Sequence, residues 1–381
     1  MILLRKEKRP FILYNPEMSK KILFLLIGIS INLNLQAHHS KAAADSLRND
    51  GPFVFFAGNR LKAMWIENNV KMGQYISADN FTEISSRFRL KINYDDLWKT
   101  SKLKPEYRQN FSRVDSIGVI TDIHGEFDTY INLLKSTGII HENLNWKFGK
   151  GHLVVIGDIF DRGSMVNEVL WHLFGLEKQA ERAGGMVHVM LGNHEFMVLR
   201  KDLSYINPLY SETESISKIR YYDQYSENSV LGKWLRSKPV IITINNIIFV
   251  HGGISTELVR RNLALEEINR KFSDNILGKK LKDVNCNEEL YFLNENNGPL
   301  WYRGYFLDTT FCESKIDSIL AFFGKDHIVV GHTTSEGIKS LFHNKILGAD
   351  TGIMNKQSKE MLLYKNGYFY RSLLNGARIK L

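Results

Sequence analysis

Five short motifs in this sequence place an Asp, Asn or His beside a glycine or another small residue. They are DIHG at 122–125, GDIFDRG at 157–163, GNHE at 192–195, HGG at 251–253 and GH at 331–332. The side chains among them that can bind a metal are Asp122, His124, Asp158, Asn193, His251 and His332. These donors exceed the ligand count of a closed structural zinc site and suit two divalent ions. Oxygen and imidazole donors without a thiolate favour manganese, iron or zinc.

Each motif directly follows a short apolar run, at 117–120, 153–156, 187–190, 241–250 and 327–330. Helix-like stretches at 127–136 and 166–183 separate the first three runs. Apolar strands that alternate with helices predict an α/β fold whose sheet is covered on both faces. Ligands of such sheets gather at the carboxyl ends of the strands. We therefore expect the five motifs to converge on one site.

A single motif of this kind often occurs by chance, whereas an ordered set of five, each after an apolar strand, indicates a metal site. The set resembles the calcineurin-like metallophosphoesterase superfamily, and within it the phosphoprotein phosphatases, whose motifs are GDxHG, GDxxDRG, GNHE, HGG and GH. The segments 298–303 and 349–352 are similar to the Shewanella-like and related bacterial protein phosphatases. The resemblance implies a β-sandwich flanked by helices.

The resemblance also implies a role for each site residue. The metal ligands are then Asp122 and His124 for one ion, Asp158 between both ions, and Asn193, His251 and His332 for the other. The groups that act on the ester are Arg162 and Arg303 on the phosphate oxygens, and His194 as the general acid, oriented by Asp161. One departure from the family pattern is Thr121 in place of glycine, for which we expect a local backbone adjustment.

The implied activity is hydrolysis of a phosphate monoester by a hydroxide held between two divalent ions, with a phosphoprotein (Ser/Thr or Tyr) as the substrate. The alternatives are a phosphatase of small phosphate esters, a dinucleotide polyphosphate hydrolase, a nuclease or other phosphodiesterase, and a non-catalytic cell-surface binding protein. Thr334 and Glu195 stand where phosphodiesterases tend to have His and Asp, and Asp161 is typically lacking in the dinucleotide hydrolases. The binding protein is disfavoured because no metal ligand is missing.

The N-terminus has the layout of a secretory signal. Lys20 and Lys21 precede an apolar stretch at 22–35, which is too short to span a bilayer, and Ala37 offers a cleavage point. We therefore predict a signal peptide at 1–37, whose layout fits best with a translation start at Met18. We also predict export to the periplasm or envelope, without a stable membrane span after cleavage. Residues 38–113 are predicted to form a β-rich appendage that begins with a hairpin turning at 57–59. Residues 114–381 form the predicted catalytic domain.

The net charge is +9, and residues 1–37 contribute +4 of it. The rest of the chain is only mildly basic and has no block of like charges, so no nucleic-acid partner is predicted. The two cysteines, Cys286 and Cys312, exclude a disulfide-dense scaffold. Spacing alone leaves open whether they form one bridge or two buried free thiols.

Overall fold

The computed structural model describes residues 47–356 and 358–381. The predicted signal peptide and the first residues of the predicted appendage lie outside this part of the chain, so export stays a prediction. Residues Asn49–Leu381 form one compact unit. No helix within the described ranges is long and apolar enough to cross a bilayer.

The structure contains three sheets and a series of mostly short helices. The strands are β1 (Asp50–Ala57), β2 (Arg60–Glu67), β3 (Val70–Ile76), β4 (Asn110–Phe111), β5 (Ser116–Ile120), β6 (His152–Val155), β7 (Met186–Val189), β8 (Ile241–Ile244), β9 (Ile247–Val250), β10 (His327–Val330), β11 (Lys339–Leu341), β12 (Ile346–Gly348), β13 (Glu360–Lys365), β14 (Tyr368–Leu373) and β15 (Arg378–Lys380).

The α-helices are α1 (Phe81–Arg87), α2 (Tyr94–Thr100), α3 (Phe127–Thr137), α4 (Val166–Arg182), α5 (Asn193–Leu199), α6 (Leu209–Ser217), α7 (Tyr221–Gln224), α8 (Val230–Leu235), α9 (Thr256–Arg260), α10 (Leu265–Lys271), α11 (Leu281–Val284), α12 (Glu288–Leu293), α13 (Gly304–Leu307) and α14 (Glu313–Phe323). A π-helical turn at Phe272–Ile276 and a 3₁₀ turn at Ile353–Asn355 complete the helical elements. Two excursions from the sheets, at 202–238 and 254–298, carry helices α6–α8 and α9–α12.

Two six-stranded sheets form the centre of the fold, in the orders β15-β14-β13-β5-β6-β7 and β11-β12-β10-β9-β8-β4. One buried cluster joins side chains of both sheets, such as Val119 and Val154 of the first and Phe249 and Val329 of the second. Alternate residues of the same strands, such as Ile120, belong to the larger core that includes the helices. Successive side chains of a strand point to opposite faces, so apolar runs suit sheets buried on both sides. The predicted helix-flanked β-sandwich is confirmed.

The parallel strands bring the motifs together. Strands β5, β6 and β7 pair in parallel, and so do β9 and β10. Backbone hydrogen bonds then tie the loops that follow the strands: Asp122 N–H donates to the Gly157 carbonyl over 3.1 Å, and Gly331 N–H donates to the His251 carbonyl over 2.9 Å. Parallel pairing puts the carboxyl ends of these strands at one edge, which is why motifs far apart in sequence meet.

The predicted N-terminal hairpin is confirmed as β1 and β2, which pair in antiparallel register. A third strand, β3, continues the sheet and was not predicted from the sequence. Its residues are mostly exposed. The available signal was Asn68-Asn69, because both residues have positive φ angles, 51° and 65°, as the tight turn between two strands requires. The sheet contacts helix α4 through a hydrogen bond from Trp171 Nε1 to the Pro52 carbonyl.

Both cysteines are free, as one of the two expectations has it, but they are exposed and not buried. Cys286 lies just after helix α11, and Cys312 is the residue that precedes helix α14. Short surface helices of the 254–298 excursion have few side chains to cover them, which leaves the first thiol in solvent. The chain around Cys312 is likewise exposed.

Candidate metal centre

The loops that carry the predicted ligands include strained backbone conformations. Asp122, His124, Asp158 and His332 all have φ angles in the left-handed region, between 47° and 63°. This conformation costs a residue with a side chain about 1–2 kcal/mol, so surrounding contacts must hold it in place. One such contact is a close approach of two loops at Gly157, where any side chain would collide with the backbone of Gly192.

Asp158 lies at the centre of the site. Its Oδ2 atom is 3.2 Å from His251 Nε2, 3.8 Å from His124 Nε2 and 3.8 Å from His194 Nε2. Two groups of potential metal ligands share this carboxylate: one contains His124 and His194, and the other contains His251 and His332. A buried carboxylate common to two ligand groups has the placement expected of a residue that bridges two ions.

Two imidazoles are oriented by main-chain carbonyl groups. His124 Nδ1 lies 2.7 Å from the Phe160 carbonyl oxygen, and His251 Nδ1 lies 2.7 Å from the Ile156 carbonyl oxygen. A carbonyl oxygen only accepts, so each Nδ1 carries a proton and each Nε2 is the nitrogen available to a metal. The Nε2 atom of His332 is buried and has no hydrogen-bond partner among the described residues.

The contact between His251 and Asn193 tests whether a cation fits. His251 Nε2 lies 2.9 Å from Asn193 Oδ1, which is an acceptor only. Two lone pairs at this distance repel each other unless a proton or a metal ion lies between them. Burial opposes protonation of His251, but the Asp158 carboxylate outweighs it and raises the pKa of His251 to about 10. The pair thus attracts positive charge, which a divalent ion would supply.

Several buried carboxylates make the whole site attractive to cations. Asp122, Asp158 and Asp350 are each at most 4% exposed. Burial raises the pKa of Asp122 well above its usual value, and the neighbouring Asp350 raises it further. Burial also opposes ionisation of Asp158, but the nearby imidazoles prevail and hold its pKa well below the usual value. Divalent ions would stabilise several acids that otherwise repel one another.

His194, a member of the first ligand group, forms a buried pair with Asp161. His194 Nδ1 lies 2.6 Å from Asp161 Oδ2, and the His194 backbone N–H donates to Asp158 Oδ1 over 3.0 Å. Burial lowers the pKa of His194, but the Asp158 charge and the Asp161 hydrogen bond outweigh it, so the pKa is raised. His194 differs from His124 because its Nδ1 contacts a carboxylate, whereas the Nδ1 of His124 contacts a main-chain carbonyl. A protonated imidazole held in this way matches the predicted general acid.

Both predicted phosphate-binding arginines lie at the site. Arg303 is half-buried, and its guanidinium donates to the His332 carbonyl oxygen. Burial lowers the pKa of Arg303, while Asp122 and Asp158 oppose this shift. Arg162 is exposed at the mouth, and its guanidinium lies 5.6 Å from the centre of the Tyr205 ring. The structure therefore brings together all ten residues predicted for the site, including Arg303, which follows a long insertion.

Thr121, which stands in place of the family glycine, contacts a predicted ligand directly. Its Oγ1 atom lies 2.7 Å from Asp122 Oδ2 and 3.1 Å from the Ile156 carbonyl oxygen. The φ angle of Thr121 is not positive, so the residue itself carries no left-handed strain. The hydroxyl fixes the orientation of the Asp122 carboxylate.

Glu195 is a functional residue that sequence reasoning left without a role. Its carboxylate accepts four backbone N–H groups: Gly192 at 2.6 Å, Asp158 at 2.9 Å, Ile159 at 2.7 Å and Phe160 at 3.2 Å. It thereby holds the loop that presents Asp158. The sequence signal was the Gly-Asn-His-Glu pattern itself, because an acid at the third residue of a helix caps its first turn.

Glu195→Gln should destabilise the protein and weaken metal binding, because an amide nitrogen would face buried N–H donors. We expect a loss of about 2–4 kcal/mol in the free energy of unfolding, since an unpaired buried donor costs about 1–3 kcal/mol. Metal affinity should fall by about 10–100-fold, as when the groups behind metal ligands are altered. Denaturant unfolding and metal titration check this, with the exposed Glu336→Gln as the control. Unchanged values for both quantities would refute this role.

Comparison with known proteins agrees with this geometry. Residues 116–336 match the model of the calcineurin-like phosphoesterase family. Shewanella-like protein phosphatase 1 of Plasmodium berghei is 30% identical over 267 residues, which cover 66% of this chain and 72% of that protein. Shewanella-like protein phosphatase 2 of Arabidopsis thaliana is 22% identical over 294 residues, which cover 64% of this chain and 72% of that protein.

A solved structure is more similar still. The cold-active protein-tyrosine phosphatase of a psychrophilic Shewanella species is 38% identical, with a TM-score of 0.79, over 88% of this chain and 99% of that chain. The family match covers the five motifs and the strands β5–β10 that precede them. The resemblance inferred from the motifs is confirmed. The chain belongs to the calcineurin-like phosphoesterase family and is a metal-dependent phosphoesterase.

Proposed function

We propose that the protein hydrolyses phosphate monoesters with two divalent ions, and that its substrates are phosphoproteins. The observation that carries this proposal is the position of Asp158 between two ligand groups, beside the His194–Asp161 pair. Asp122 and His124 would hold one ion, and Asn193, His251 and His332 the other, with Asp158 common to both. When bound, the ions supply a nucleophile at neutral pH by lowering the pKa of water, and they neutralise phosphoryl charge.

The protein's own side chains would bind the ester and protonate its leaving group. Arg162 and Arg303 present planar guanidinium groups, which grip phosphate oxygens bidentately better than lysine can. His194 would donate a proton from Nε2 to the leaving oxygen, while Asp161 holds Nδ1 over 2.6 Å. The Asp161 carboxylate fixes the ring and stabilises its protonated form, as carboxylates do in other such pairs.

The solved relative supports a phosphoprotein substrate and, within that class, phosphotyrosine. It is described as a protein-tyrosine phosphatase, and its similarity extends over nearly its whole chain. Small phosphate esters and dinucleotide polyphosphates are the competing substrates. The presence of Asp161, paired with His194, favours phosphate monoesters over dinucleotide polyphosphates as substrates.

An assay of metal-stripped and metal-restored protein tests the proposal. The protein with manganese, iron or zinc should hydrolyse an aryl phosphate monoester and phosphopeptides much faster than an aryl diester or a dinucleotide tetraphosphate. Chelation should abolish the activity, and added metal should restore it. A preference for the diester or the dinucleotide would overturn the substrate class. Absence of all turnover, despite bound metal, would support a binding protein instead.

A further inference from the structure

Tyr205 places an aromatic ring at the mouth of the site. The residue is 51% exposed. Its ring centre lies 5.4 Å from that of His194, at an interplanar angle of 64°, and 5.6 Å from the Arg162 guanidinium. The ring therefore touches both His194, which would contact the leaving group of a phosphate ester, and Arg162, which would contact its phosphate.

Tyr205 is held in place despite its exposure. The Arg162 backbone N–H donates to the Tyr205 carbonyl over 2.9 Å, and Asn207 Nδ2 donates to the Arg162 carbonyl over 2.8 Å. The flanking side chains of Leu203 and Ile206 pack against the hydrophobic core. The segment 203–207 is thus tied to the Arg162 loop on one side and to the core on the other, so the backbone that carries the ring is held beside the site.

The ring of Tyr205 lies beside the proposed general acid, and therefore close to where the leaving group would be. The leaving oxygen must approach His194 to be protonated, so the group attached to that oxygen comes close to Tyr205. A phenyl ring at this position would stack on Tyr205 or meet it edge to face, whereas a serine or threonine side chain offers much less surface. Partial exposure also means that the face of Tyr205 is open to an incoming ligand.

We propose that Tyr205 is a specificity-determining residue that selects aryl phosphate esters, phosphotyrosine in particular, by packing against the leaving phenyl ring. This inference rests on the proposed phosphatase function. It predicts that Tyr205 acts through its ring and not through its hydroxyl.

Matched peptides that carry phosphotyrosine or phosphoserine test this inference. Tyr205→Ala should lower the ratio of kcat/KM for phosphotyrosine over phosphoserine about fivefold, within the roughly 2- to 12-fold range of one aromatic pair. Tyr205→Phe should retain the ratio of the unaltered protein. Tyr368→Ala is the matched control, because Tyr368 is also 51% exposed and also lies beside a cation, Lys380, but is on strand β14. Tyr368→Ala should change kcat/KM for neither peptide.

Binding separates this inference from the proposed function. Calorimetry with the metal-loaded protein should show tighter binding of phenylphosphonate than of methylphosphonate, and Tyr205→Ala should remove that preference. An equal loss of activity on both peptides would overturn the inference, since Tyr205 would then only support His194. An unchanged ratio would also overturn it. If the protein hydrolyses neither peptide but Tyr205→Ala still abolishes the phenylphosphonate preference, the inference stands and the phosphatase proposal fails.

Discussion

Asp158→Asn should lose nearly all turnover and most of its bound metal while remaining folded. The carboxylate lies within 3.8 Å of three imidazole Nε2 atoms and is shared by both ligand groups. An amide is neutral, so its oxygen cannot balance the charge of two cations as a carboxylate does. We expect kcat to fall by at least about 10³-fold, the upper end of the cost of removing one electrostatic stabiliser.

Elemental analysis of the purified variant and its kcat with added metal provide the measurement. Thermal unfolding gives a second readout, because a bound metal raises the stability of the folded state by mass action. Added metal should raise the unfolding temperature of the unaltered protein and of an exposed control, Asp79→Asn, but not that of Asp158→Asn. Full metal occupancy in Asp158→Asn would show that the carboxylate is not the bridge between two ions.

His194→Ala should keep its metal and lose activity in proportion to the basicity of the leaving group. His194 lies beside Asn193, and its Nδ1 is bound to Asp161 rather than to a main-chain carbonyl. Loss of a general acid costs about 10²–10⁴-fold in rate. A nitrophenolate leaves readily without a proton, so its ester should be harmed least, and an alkyl phosphate should be harmed most. The measurement is kcat/KM across monoesters of graded leaving-group pKa.

The variants around His194 separate proton transfer from metal and phosphate binding. Asp161→Asn should show the same leaving-group dependence more weakly, since it acts through His194. Arg162→Lys should instead reduce kcat/KM for all monoesters alike, because it weakens the grip on the phosphate. The exposed His343→Ala serves as the control. A uniform loss in His194→Ala would remove the acid role, and a loss of metal would make His194 a ligand.

The chemistry of the site and the class of the fold were readable from the sequence. Apolar runs buried on both faces cannot be stable except between two covering layers, so they predicted the covered sheets. The turn-forming glycines and the donors beside them follow those runs directly, so a local pattern carried the ligand set. The N-terminal hairpin was predicted for the same reason, because its turn and its alternation are local features. Strand β3, whose side chains are mostly exposed, was not predicted.

Only the tertiary structure decided how distant residues act on one another. Asp122 and His332 are 210 residues apart, yet the backbone N–H of His332 donates to Asp122 Oδ2 over 2.9 Å. Glu195 receives N–H groups from a loop more than 30 residues earlier, and Tyr205 meets Arg162 across a similar separation. Such contacts depend on the pairing of strands and on loop conformation, which are set by the packing of the whole chain. Residue types and spacing therefore predict which groups take part, but the distances and partners that give each group its role arise only when the sheets bring the loops together.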